Sequence, residues 1–151
     1  MKLSEILEQP CIKLEMQSTD KEESFEELVD ILVQNGKIKD RKAVIEALKE
    51  RERLGTTGIG EGLAIPHAKF SGIAKLTAAF GISRRGIDYD ALDDEPVYIV
   101  IVVLAEENNP GPHIRLLAEI ARLFQVPGFS EKLRQAASPK EILEIIAAEE
   151  G

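Results

Sequence analysis

The chain has 151 residues, 44% hydrophobic and 30% charged, a balance that supports one folded domain and argues against a disordered segment. Nineteen Lys and Arg against 27 Asp and Glu give a net charge of −8, which would repel a polyphosphate backbone and argues against general nucleic-acid binding. The single cysteine, Cys11, allows no internal disulfide and no cysteine zinc site, and points to a reducing cytoplasm.

A domain of this size buries roughly 70% of its unfolded surface, so it needs no covalent staples. The first residues, Met1 to Glu8, carry acidic groups where a signal peptide needs an apolar core. The longest apolar stretch, Val97 to Ala105, is too short for a membrane span, so a cytoplasmic protein without membrane insertion is expected. Cys11, between Pro10 and Ile12 at a predicted strand start, reads as a small, half-buried apolar residue.

Residues 19 to 35 read as a helix, with Thr19 and Glu22 as a capping box and Asn35-Gly36 as its stop. Phe25, Leu28, Val29 and Leu32 recur at helical spacing. A second helix is predicted from Asp40 as N-cap to Arg53, with Ala43, Val44, Ala47 and Leu48 inward and Arg51 in its last turn. Short strands are predicted at Leu63 to Ile65 and Leu76 to Ile82. Ser83 to Gly86 then reads as a turn into extended Ile87 to Tyr89.

Val97 to Leu104 is apolar and rich in β-branched residues, the pattern of a central strand covered on both faces. Ala105 to Pro112 reads as a loop that delivers His113 as the cap or first residue of a helix, with Leu117, Ile120, Ala121 and Phe124 on one stripe. A short helix over Ser130 to Ala136 follows. Ser138-Pro139-Lys140-Glu141 then combines an N-cap, a proline at the first helical position and a capping-box glutamate to start a last helix. Helices before, between and after strands predict an α/β fold: a single-domain α/β sandwich in which helices flank both faces of a mixed sheet.

Gly55 to His67 is the stretch richest in chemical content. Glycines at 55, 58, 60 and 62 free the backbone to turn tightly and bring N–H groups near a ligand. Pro66 is a poor central-strand residue, so His67 is expected at a strand end or sheet edge. Both histidines of the chain thus follow a glycine- or proline-rich segment at an element boundary. A helix start offers unpaired N–H donors and a positive dipole end, which favour an anion and disfavour imidazolium. One reading is reversible phosphoryl transfer, one imidazole attacking phosphorus while the other, with an arginine, holds the equatorial oxygens.

Blander or rival readings compete. On spacing alone, His113 reads as a surface or hydrogen-bonding histidine, whereas the glycines before His67 have no evident packing purpose and set a functional role for it level with the bland one. Gly58-Ile59-Gly60 resembles part of a dinucleotide fingerprint, but no strand precedes it, and the Gly-Lys-Ser/Thr ending of a P-loop is missing. A metal site would have to recruit both histidines with Asp88 or Asp90, and no histidine pair has ligand spacing. Ser71 and Ser83 lack a nucleophile elbow, and Asp88, Asp90, Asp93, Asp94 and Glu95 read as solvated turns.

Arg51-Glu-Arg-Leu-Gly-Thr-Thr-Gly-Ile-Gly-Glu-Gly-Leu-Ala-Ile-Pro-His67-Ala-Lys69 resembles the phosphohistidine signature of enzyme IIA domains of the bacterial phosphotransferase system (PTS), of the fructose, mannitol and nitrogen-regulatory type. Ile87 to Val97 and His113 to Leu123 resemble the same family in the same order, so residues 1–151 are covered as one IIA domain. The resemblance implies a mixed sheet flanked by helices and a cytoplasmic phosphohistidine carrier rather than an independent metabolic enzyme. It implies no cofactor and no metal.

By the same resemblance His67 is the phosphorylated histidine, charged by the phosphohistidine of HPr or an HPr-like protein, and His113 and Arg51 are the second active-site histidine and the active-site arginine. Ala68 departs from a glycine common in relatives, and Pro110-Gly111-Pro112 makes a stiffer approach to His113 than the family pattern. The Arg51 to Lys69 stretch looks most like the nitrogen-regulatory subgroup, which implies regulation through phosphorylation-dependent protein binding. The alternatives are a free-standing fructose or mannitol IIA feeding an enzyme IIB, and an unphosphorylated binding module of the same fold. Ile59, Leu63 and Ile65 are candidate members of a docking face.

Overall fold

Strand β6, Val97–Glu106, organises the molecule, and the computed structural model describes residues 1–151 around it. Its residues Ile99 to Leu104 are fully buried, as an apolar, β-branched run covered on both faces should be. Along one side runs β5, Thr77–Ile87, antiparallel, from Thr77 opposite Leu104 to Ile87 opposite Val97. Along the other side lie two short strands in line, β3 (Leu63–Ala64) and β4 (His67–Phe70), both parallel to β6. Strand β1, Ile12–Lys13, adds to β5, and β2, Gly58–Gly60, adds to β3, which completes a six-stranded mixed sheet.

The predicted turn at Ser83 to Gly86 is instead part of β5. Ile82 faces Ile99 and Ile87 faces Val97, so the four residues 83–86 oppose the single residue Tyr98 and bulge out without ending the strand. Gly86, at φ +90°, supplies the bend, and its N–H donates to Ser83 Oγ at 3.0 Å. Turn-forming residues start a hairpin only where the partner strand stops, and β6 continues past them.

Helix α2, Lys21–Gln34, starts one residue later than the capping pattern predicts. Asp20, not Thr19, is the N-cap, its carboxylate accepting from the Glu23 N–H at 2.9 Å. The Glu23 carboxylate reaches back to the N–H and hydroxyl of Thr19, both at 2.8 Å. Phe25, Leu28, Val29 and Leu32 are buried as predicted, each worth about 2 kcal/mol. Helix α3, Arg41–Arg53, has the predicted Asp40 cap, with the Ala43 N–H donating to it at 3.0 Å. Its inward face is Val44, Ile45 and Leu48, with Ala43 and Ala47 only half-buried.

Helix α4, Pro110–Phe124, begins three residues before the predicted start. The stretch read as loop supplies its first turn, because proline fits the opening positions of a helix, where N–H groups have no partner. His113 is therefore the fourth residue of α4, not its cap. The buried stripe is His113, Leu116, Ile120 and Leu123, one position round from the predicted one. Helix α5 spans Phe129–Arg134, and α6 spans Pro139–Glu150 from the predicted Ser138 cap, which accepts from the Glu141 N–H at 3.1 Å.

The N-terminal helix α1, Leu3–Ile6, and a 3-10 turn over Gln9–Cys11 are additions to the predicted elements. Cys11 ends that turn and is 1% exposed, fully rather than half buried. The helices form two groups: α2 and α3 pack on each other and on the sheet, while α1, α4, α5 and α6 pack together, with α4 on β6. One apolar core runs from Leu3 to Ile146, so the architecture is a single-domain α/β sandwich. No helix is long and apolar enough to cross a membrane.

Candidate functional site

Ile65-Pro66 interrupts what would otherwise be one strand beside β6, and His67 is the first residue after the break. The Pro66 carbonyl still accepts from the Val103 N–H at 3.0 Å, while proline offers no N–H to a further strand. His67 thus sits at a strand start on the sheet's flank, as its sequence context predicts. Its Nδ1 lies 2.7 Å from the Ile65 carbonyl oxygen. A carbonyl can only accept, so Nδ1 carries the proton and the lone pair of the neutral ring is on Nε2. Burial lowers the His67 pKa below the ordinary histidine value. The Ile65 hydrogen bond works against that shift, the nearby Arg51 charge adds to it, and the Glu52 charge opposes it.

His113 reaches His67 from the first turn of α4. The ring centroids are 5.3 Å apart and the planes cross at 72°. His113 is 4% exposed, and its Nε2 has no hydrogen-bond partner in the protein. Leaving such an atom unpaired costs about 1–3 kcal/mol, which marks it as a group awaiting one. Burial pushes its pKa down to about 4, with the His67 and Lys69 charges adding to the effect. Near neutral pH both rings are uncharged.

The α4 N-terminus differs from the predicted cluster of N–H donors. Pro110 and Pro112 remove two of the earliest N–H groups, so mainly the dipole is left to favour an anion there. The glycine segment also differs. It forms a β2–β3 hairpin turning at Glu61 (φ +56°) and Gly62 (φ +79°). Its donors are engaged internally, Gly58 N–H to Thr56 Oγ1 at 3.1 Å and Glu61 N–H to Asp93 Oδ2 at 3.0 Å. Gly58 does have a packing purpose: a Cβ there would lie 2.8 Å from both the Tyr89 ring and the Ala91 side chain. The acidic turn is likewise a fastener, since Asp93 receives the Glu61 and Glu95 N–H groups.

Arg51 lies in the last turn of α3, which packs on β4, and its charge is felt at His67. Its Nη1 donates to the Gly55 carbonyl at 2.9 Å. The sequence reading missed the neighbouring Glu52. Its carboxylate accepts from the Thr57 N–H at 2.9 Å and hydroxyl at 2.6 Å, and Lys21 Nζ lies 3.0 Å away. Burial works against this carboxylate, yet the Thr57 and Lys21 bonds outweigh it and hold the pKa below the usual carboxylate value. Thr57 Oγ1 in turn lies 2.6 Å from the hydroxyl of buried Tyr89. Lys69, two residues beyond His67 on β4, is the other cation whose charge reaches the histidine pair. Exposed Leu54 follows α3, and exposed Ile114 follows His113. Of the proposed docking residues only Ile59 is exposed, whereas Leu63 and Ile65 are in the core.

The model of the family described as phosphoenolpyruvate-dependent sugar phosphotransferase system, EIIA 2, matches residues 5–149. The chain is 38% identical over 146 residues to the PTS system fructose-specific EIIABC component of Bacillus subtilis, covering 97% of this chain but 23% of that protein. It is 37% identical to the PTS system fructose-specific EIIA component of Haloferax volcanii, over 96% of this chain and 94% of that one. Among solved structures, nitrogen regulatory protein IIA-Ntr from Neisseria meningitidis superposes with a TM-score of 0.89 at 34% identity, over 95% of this chain and 98% of that one. With its mixed sheet flanked by two groups of helices and a family match over nearly its whole length, the chain belongs to the PTS EIIA type 2 family.

Proposed function

We propose that the protein is a phosphocarrier that accepts a phosphoryl group on His67 Nε2 from the phosphohistidine of HPr or an HPr-like protein. The observation that carries this reading is the pairing of a half-buried, neutral imidazole, its Nδ1 proton held by Ile65, with a second buried imidazole whose Nε2 has no partner. In the transfer the Nε2 lone pair of His67 attacks phosphorus, the donor P–N bond breaks, and its electron pair returns to the donor ring. The proton stays on His67 Nδ1, which goes on donating to the Ile65 carbonyl. His113 Nε2 then gains a phosphoryl oxygen as partner, and Arg51 offsets the incoming charge. Exposed Leu54, just past α3 and its Arg51, and exposed Ile114, next to His113 in α4, supply apolar contact for a docking protein.

Phosphorylation adds a dianionic phosphoryl group to a pair of uncharged imidazoles, a change of local charge large enough to abolish or create docking of a partner. That supports a regulatory role of the nitrogen-regulatory kind, in line with the IIA-Ntr likeness. The identities with fructose-specific components favour a second reading, onward transfer to an enzyme IIB cysteine for sugar uptake. Incubation with enzyme I, HPr and phosphoenolpyruvate is expected to label the protein in an acid-labile, alkali-stable form, and His67→Ala to abolish the label. Labelling retained in His67→Ala rejects the site, and an unlabelled wild type points to a binding module of the same fold. Loss of label to a purified enzyme IIB separates transport from regulation.

A further inference from the structure

Around the end of α3, the side chains of Lys21, Glu52, Thr57 and Tyr89 form a polar relay of fixed direction. Glu52, as a carboxylate, can only accept, so the single Thr57 hydroxyl proton points at Glu52 Oε2, 2.6 Å away. The Tyr89 hydroxyl, 2.6 Å from Thr57 Oγ1, must then be the donor in that contact. Donation runs from Tyr89 to Thr57 to Glu52, while Lys21 closes the far end at 3.0 Å. Tyr89 is 0% and Thr57 3% exposed, so water does not compete for these bonds. A partly buried ion pair such as Lys21–Glu52 adds little net stability, so the arrangement contributes direction more than energy.

The relay bears on the short loop Leu54–Thr57. Arg51 and Glu52, consecutive residues at the end of α3, hold that loop at different points: Arg51 Nη1 at the Gly55 carbonyl, and Glu52 at the Thr57 N–H and hydroxyl. Next to it, Gly58 lies against the Tyr89 ring with no room for a Cβ. The Gly55 carbonyl is the one hydrogen-bond partner of the Arg51 guanidinium, so whatever fixes this loop fixes the guanidinium. We propose that Glu52, Thr57 and Tyr89 are positioning residues that, through the Gly55 carbonyl, hold the Arg51 guanidinium where it meets the phosphoryl group on His67. This rests on the phosphocarrier reading of His67 and adds three residues to the site.

The test is single-turnover phosphoryl transfer from purified phospho-HPr to wild type, Tyr89→Phe, Thr57→Val and Thr57→Ser, with folding checked by thermal denaturation. Misplacing a catalytic group by a fraction of an ångström is expected to lower the saturating rate about tenfold in Tyr89→Phe and Thr57→Val. The donor concentration giving half the maximal rate should change less than about twofold, and Thr57→Ser, which keeps the hydroxyl, should restore the rate. In an Arg51→Ala background Tyr89→Phe should slow transfer no further, because it acts through the missing group. Equal slowing in both backgrounds, or unchanged rates in folded Tyr89→Phe and Thr57→Val, overturns the proposal. Should Tyr89→Phe fail to fold, the Thr57→Val and Thr57→Ser pair decides in the same way. A wild type that takes no phosphoryl group overturns the phosphocarrier reading itself, an outcome read before any variant is compared.

Discussion

The Nδ1 atom of His67 and the carbonyl oxygen of Ile65, two residues earlier in the chain, are 2.7 Å apart. That contact fixes the tautomer of the His67 ring and leaves Nε2 as its basic nitrogen. The phosphorylated protein is therefore expected to carry its phosphoryl group on Nε2, readable from imidazole nitrogen shifts and phosphorus coupling by NMR. Modification at Nδ1 would show that the Ile65 bond does not select the nucleophile.

The pH dependence of charging follows from the lowered His67 pKa. Protonation removes the attacking lone pair, so acceptance from phospho-HPr should stay flat from pH 8 down to about the ordinary histidine value of 6.5 and fall only below it. Titration of the His67 ring by NMR should give the same midpoint. A fall already centred at or above 6.5 would contradict the burial and Arg51 effects.

His113 should make stability depend on pH. Its folded pKa is depressed to about 4, below the unfolded value, so the unfolded chain binds the extra proton between those values. The neutral ring's contribution is complete above about pH 6.5 and is lost as pH falls towards 4, a loss of about 3 kcal/mol. Denaturant unfolding should therefore show less acid loss over that range in His113→Gln than in wild type. Parallel curves would mean that the ring is hydrated or already paired.

Gly58→Ala tests why this glycine is a glycine. A methyl group would meet Tyr89 and Ala91 at 2.8 Å, and neither neighbour has a flexible end that could swing away. The expected cost is about 1–3 kcal/mol, visible as a lower unfolding midpoint, and the displaced Tyr89 should also slow phosphoryl transfer. An unchanged midpoint would show that the hairpin shifts freely against the Tyr89 segment.

Much of the architecture was legible in residue order. The Val97 to Leu104 run could only be a covered strand, the Asp40 and Ser138 caps mark their helices, and Pro66 puts His67 at a strand start. Errors arose where local chemistry is ambiguous. Prolines before His113 suit a loop or a helix start equally, and in the folded chain they open α4 at Pro110. Ser83 to Gly86 has turn composition but bulges within β5, because β6 continues opposite it. Thr19 and Asp20 are both good caps, and the choice of Asp20 depends on which N–H groups the folded turn presents.

The sequence alone carried the family pattern, the central strand and the caps of the main helices, and singled out two histidines and an arginine as candidates, because these depend on residue type and spacing. Tertiary structure alone decided the tautomer of His67, the missing partner of His113 and the Tyr89–Thr57–Glu52 relay behind Arg51. Those depend on distances between groups up to 46 residues apart in sequence, His67 and His113, and on the exclusion of water around them. Spacing along the chain encodes neither.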